Sequence, residues 1–135
     1  MIPGSIGTEV WKGLMKTAVK EGYAVAYPDS GGNAASDTKP EVGIYGHSTG
    51  SVAHDIGARI ADDFPFAYGE RVHFPVRLNE FVSLEFHVST PIPEWGGKTW
   101  YARFEENAQV GPQGAHGLIP RQEKILLVPA KGGAN

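Results

Sequence analysis

Between positions 8 and 21, apolar residues recur at Val10, Trp11, Leu14, Met15, Ala18 and Val19. Glu9, Lys12, Lys16 and Lys20 take the other side, which predicts an amphipathic helix packed by one face. Ser5 and Thr8 are its candidate N-caps, and Gly22 fits the position just past its C-terminus. Positions 29–40, DSGGNAASDTKP, carry no apolar period and read as a solvated connection. From Val42 onward the period becomes two. Over 81–89, Val82, Leu84, Phe86 and Val88 fall on one face and Ser83, Glu85 and His87 on the other. Over 99–105, Trp100, Ala102 and Phe104 alternate with Thr99, Tyr101, Arg103 and Glu105. TPIPEWGGK between these strands reads as a wide hairpin loop, because its prolines and paired glycines cannot continue a ladder. Positions 125–128 read as a closing strand and 129–135 as a flexible tail. One helix followed by alternating strands predicts an α+β fold: an antiparallel curved sheet with the helix on its apolar face, one domain spanning 1–135.

Composition narrows the function classes. Eighteen glycines and ten prolines make the chain turn-rich, while 41% hydrophobic residues argue for a folded core. Fifteen acidic residues against twelve basic ones give a net charge of -3, with no basic cluster, so nucleic acid and anionic membrane surfaces are not expected partners. Without cysteine there is no disulfide, thiol nucleophile or thiolate zinc site, and any metal must rest on histidine and carboxylate. No secretory leader pattern and no apolar run approaching ~20 residues are present, which reads as a cytoplasmic chain.

Candidate chemistry gathers in two places. His47 and His54 stand among small residues in GHSTGSVAHD, where other groups can approach a backbone closely. Glu85 and Glu105 are aimed to one face by the strand period. With the loop centred near Glu94, residue 89 lies opposite 99, Glu85 opposite Arg103, and Glu105 one diagonal step away. Two such carboxylates repel unless a proton, a cation or a metal intervenes, and Arg103 alone would make this an ordinary ion pair. Ser83, Tyr101 and His87 share the face, and His87 is close enough to Glu85 for a direct or a supporting role. His73 and His116 read as surface or packing histidines. No pattern places a base or an oxyanion hole around Ser48 or Ser51, and Trp95 and Trp100 read as anchors of the loop and core.

GHSTGSVAHD, SLEFHVSTPIPEW, RFEENAQV and RQEKILLV resemble, in order and spacing, the C-terminal half of the pita-bread metallopeptidases. That family includes Xaa-Pro aminopeptidase, prolidase, methionine aminopeptidase and creatinase, and PGSIGTEVW resembles its preceding helix start. The PIPEWGGK loop and the RQ ending are most similar to Xaa-Pro aminopeptidase. The resemblance implies that His47 is a metal-binding histidine, Glu85 the first carboxylate ligand, and Glu105 the carboxylate bridging two metals. It implies that His54 contacts the substrate carbonyl and its developing oxyanion, that Glu85 also handles a proton, and that Arg103 supports Glu105, with His87 near the ligands.

The cofactor implied is a divalent metal, one of Mn, Co, Fe or Zn, with two ions in the full family site. Two further aspartate ligands of that site precede the helix in the family and have no counterpart here. Asp29 and Asp37 follow the helix, in the wrong order to replace them. At most one weakly bound ion is therefore expected, in a truncated or split half of a metal-dependent aminopeptidase. The implied partners are a peptide substrate with proline at the second position, and a missing N-terminal half or a second copy. The alternative is a noncatalytic peptide- or protein-binding module of the same fold.

Overall fold

The computed structural model describes residues 1–25, 39–51, 54, 56–62, 69–124 and 126–128. Most of the connection read over 29–40, Ile125 and the tail 129–135 lie outside the described residues. The predicted helix is α1, Gly7–Lys20, with Trp11, Met15 and Ala18 buried and Val19 exposed at the margin of the stripe. Its C-terminus closes as the sequence implies. Gly22 takes φ 94°, its N–H donates to Val19 O, and the Tyr23 N–H donates to Ala18 O. This left-handed closure satisfies the last carbonyls, and glycine adopts it without a Cβ penalty.

The N-terminus differs from expectation. Ile6 occupies the N-cap without a side-chain bond, and Thr8 is buried inside the first turn. Tertiary contacts replace the cap: the Gly7 N–H reaches Phe74 O, and the Gly4 N–H and Ser5 C=O pair with Val76. The orphan donor at the helix start is thus met by a neighbouring segment and not by a hydroxyl.

Six strands follow: β1 (Ala24–Val25), β2 (Glu41–Ser48), β3 (Arg59–Ile60), β4 (Phe81–Ile92), β5 (Lys98–Gly111) and β6 (Gly114–Gly117). They form one sheet in the order β1-β2-β4-β5-β6, with β3 also on β2. The fold is α+β and the sheet mostly antiparallel, but β1 pairs parallel with β2, which corrects a purely antiparallel expectation. The outer edge of β2 is shared, with β1 opposite 41–42 and β3 opposite 46–47. Ile44 lies between them, and its carbonyl accepts the Trp11 indole N–H at 2.7 Å. That bond docks the helix. Around it Trp11, Met15 and Ile60 pack with Ile44 and Leu84, beside a second cluster of Ala58, Val76, Val82, Ala108 and Val110.

Two further expectations are corrected. Trp95 and Trp100 are exposed, because β2 pairs β4 only as far as Ser89 and among the described residues no layer covers the distal hairpin. Leu126, Leu127 and Val128 are exposed and belong to no strand. Among the described residues no helix is long and apolar enough to cross a membrane.

Replacing Trp11 with Phe keeps most of the buried ring and leaves the Ile44 carbonyl without its donor. A loss of about 1–3 kcal/mol is expected, read as a lower urea midpoint at unchanged m-value.

Candidate functional site

The β2–β4–β5 register arranges the polar face into transverse rows: His47–Ser83–Asn107, Tyr45–Glu85–Glu105, Gly43–His87–Arg103 and Glu41–Ser89–Tyr101. Glu85 therefore stands directly opposite Glu105, and Arg103 opposite His87. The expected pairing of Glu85 with Arg103 is off by two residues. The reason is local: the hairpin loop turns through a 3₁₀ segment, Pro93–Trp95, and left-handed Gly96 and Gly97, which centres it on Trp95. Moving the centre by one residue shifts every pair by two, so the face of each side chain is unchanged.

The side chains reach diagonally between rows. His47, only 2% exposed, brings Nε2 within 3.1 Å of Glu85 Oε1, while its Nδ1 lies 3.2 Å from Ser48 O. The Ser83 hydroxyl donates to Glu105 Oε1 at 2.8 Å. The imidazole on one glutamate and the hydroxyl on the other draw the two carboxylates toward separate partners, which eases their mutual repulsion. Tyr45 is hydrogen-bonded to Glu85, and burial together with that carboxylate raises its phenol above the usual range. The His54 ring lies 4.4 Å from the His47 ring, tilted 33° to it. Arg103 does not hold Glu105 as expected; its Nε donates to Tyr101 Oη at 3.2 Å, and Ser83 fills the supporting role.

His87 is 7% exposed and its Nε2 has no hydrogen-bond partner. Its ring covers Gly43 so closely that a Cβ there would overlap it. Burial chiefly, and the Arg103 charge next, push the imidazole below its ordinary range, against the opposing pull of Glu41. The neutral ring is favoured.

The 3.1 Å approach of His47 to Glu85 is that of a hydrogen bond, and imidazole with carboxylate is also a donor pair that a divalent ion can take. An ion taking the place of the proton between Nε2 and Glu85 Oε1 would be ligated by Nε2, with Nδ1–H then donating to the Ser48 carbonyl. Glu105 shares the row but is turned to Ser83, and among the described residues no three His, Asp or Glu side chains form a group that could hold an ion. The donor pair is present and the third ligand is not drawn in.

His73, in a 3₁₀ segment, and His116, on β6, lie apart from these rows. A cavity of about 660 Å³ lies on the other side of the sheet between α1, Leu84 and Ala115, away from this chemistry. Sequence named Ser83 only as sharing the polar face and did not single out Tyr45. Their two-residue spacing from His47 and Glu85 is the signal that carries them. No family model matches the chain, and no curated protein or solved structure matches it.

Gly43→Ala should force the His87 ring from its seat and destabilise the fold by about 1–3 kcal/mol. In Gly43→Ala/His87→Ala the collision is gone, so the double variant should lose clearly less than the sum of the singles in urea denaturation.

Proposed function

We propose that this chain is a metal-dependent, aminopeptidase-type peptide hydrolase domain of the Xaa-Pro aminopeptidase kind, built as half of the pita-bread fold and working in the cytoplasm. The observation that carries the reading is the His47 Nε2 to Glu85 Oε1 approach of 3.1 Å, with Glu105 directly across the ladder from Glu85. Histidine with carboxylates is the donor set that hard divalent ions accept. His47 and Glu85 would hold the ion, joined by Glu105 once it turns from Ser83, and a bound ion would supply a water acidic enough to attack a peptide carbonyl at neutral pH. Glu85 would take that water's proton, with Tyr45 hydrogen-bonded to its carboxylate. His54, whose ring lies beside that of His47, would donate to the oxygen on which negative charge develops. Ser83 fixes the direction of Glu105.

Three ligands of the five that the resemblance implies give a weak site. Calorimetric titration with Mn²⁺ should read a Kd on the order of 10⁻⁴ M or weaker, as sparse carboxylate sites do. His47→Ala, Glu85→Gln and Glu105→Gln should each weaken it further. Hydrolysis of an Xaa-Pro dipeptide with Mn²⁺ or Co²⁺ should be negligible. Absence of binding at millimolar Mn²⁺, or binding indifferent to all three substitutions, overturns the metal reading. Metal-independent binding of the peptide would then favour a noncatalytic module. Robust turnover that disappears in Glu105→Ala would show that three ligands suffice.

A further inference from the structure

β5 is paired with β4 along its length, but β6 covers only residues 108–111, so residues 98–106 form a sheet edge with no strand against it among the described residues. The direction of the peptide groups follows from neighbouring bonds. The Asn107 carbonyl accepts the Leu118 N–H on the β6 side, whereas Val110 exchanges both of its bonds with Asn79 and Glu80 on the other. Alternation along the strand then points the N–H and C=O of 99, 101, 103 and 105 outward. Among the described residues the chain's own continuation does not take them. Extending the β6 register sets Pro120 opposite Glu105, at a place that needs an N–H donor proline does not have. Gln122–Lys124 instead face 103–106 across a cleft of about 460 Å³.

We propose that a second copy of this chain completes the edge, β5 against β5, antiparallel and centred on Ala102. The outward-pointing residues must oppose one another, so the register must match odd positions to odd positions. Centred on Ala102, Lys98 meets Glu106 of the partner subunit, Trp100 meets Phe104 of the partner subunit, and Tyr101 meets Arg103 of the partner subunit. Each pairing occurs twice. They are an ion pair, an aromatic pair and a cation–π pair, the kinds that stabilise adjacent strands. The even-numbered pairs also fall at the non-hydrogen-bonded positions, where side chains approach most closely. One step away the match fails. Centring on Tyr101 sets Lys98 against Phe104 and Trp100 against Ala102, and centring on Arg103 sets arginine on arginine and Trp100 against Glu106. Trp100, Tyr101 and Phe104 are exposed, so the stripe that would be covered is accessible. The two-fold arrangement is isologous and closes as a dimer, so it consumes the edge instead of propagating it.

Sedimentation equilibrium of the full chain with chelator present, which makes the result independent of the metal reading, should give twice the 14.5 kDa chain mass at high micromolar concentration. Lys98→Glu and Glu106→Lys should each weaken association by about tenfold or more, because symmetry repeats each like-charge pair twice. The double variant Lys98→Glu/Glu106→Lys should restore it. Thr99→Pro removes only an outward N–H and should abolish the dimer while leaving the β4 ladder intact. Hydrogen exchange at 99, 101 and 103 should slow with protein concentration. A chain monomeric at every concentration overturns the proposal, including one in which its own tail protects those amides. So does a dimer indifferent to Thr99→Pro, or a double variant no tighter than the singles.

Discussion

The constraint on which the site depends is the β4–β5 register, which sets Glu85 and Glu105 face to face on a partly covered sheet. Two carboxylates so placed raise each other's energy unless each finds a partner. The neighbouring positions answer that need. His47 and Tyr45 on β2 serve Glu85, and Ser83 serves Glu105 from one row away. Tyr45 faces Glu85 directly, whereas the His47 and Ser83 contacts are diagonal because adjacent strands twist against each other, bringing a residue of one row toward the next row across the ladder. A shift of one residue along β5 would turn Glu105 to the helix side and leave Glu85 facing Phe104 or Glu106 positions instead.

The two faces of this sheet therefore carry different duties. The apolar face is closed by α1 through Trp11 and Met15, and it supplies the burial that holds the fold. The polar face is not a simple solvated surface, since His47, Ser83, His87 and Ser89 are buried there. Burying polar groups costs stability unless they are bonded, and the His87 Nε2 without a partner is a cost the fold carries. Such a face is better suited to holding something than to packing alone.

Much of this could be read from residue order. The helix stripe and the side of the sheet taken by Glu85 and Glu105 follow from periods of 3.6 and 2, and the role of Gly22 from its lack of a Cβ, which are local properties; His47 was expected beside the glutamates through the resemblance alone. Register is not local. It depended on how Pro93–Trp95 and two left-handed glycines turn the loop, and the centre lay one residue from the expected place. Burial of Trp95 and Trp100 failed as an expectation because hydrophobicity states what a side chain favours and not whether a layer is present to cover it. Ser5 and Thr8 were plausible caps, but the segment around Phe74 and Val76 met the helix start first.

The unequal placement of the three tryptophans gives the molecule an optical asymmetry. Trp11 lies in the core with its indole bonded to a strand carbonyl, while Trp95 and Trp100 meet solvent on the distal hairpin. A buried indole emits at shorter wavelength and is shielded from aqueous quenchers, so the blue, unquenchable part of the emission belongs to the helix–sheet contact. The red, quenchable part belongs to the open end of the hairpin. Docking of the helix and covering of the β5 edge are thereby reported separately, by colour, without any label.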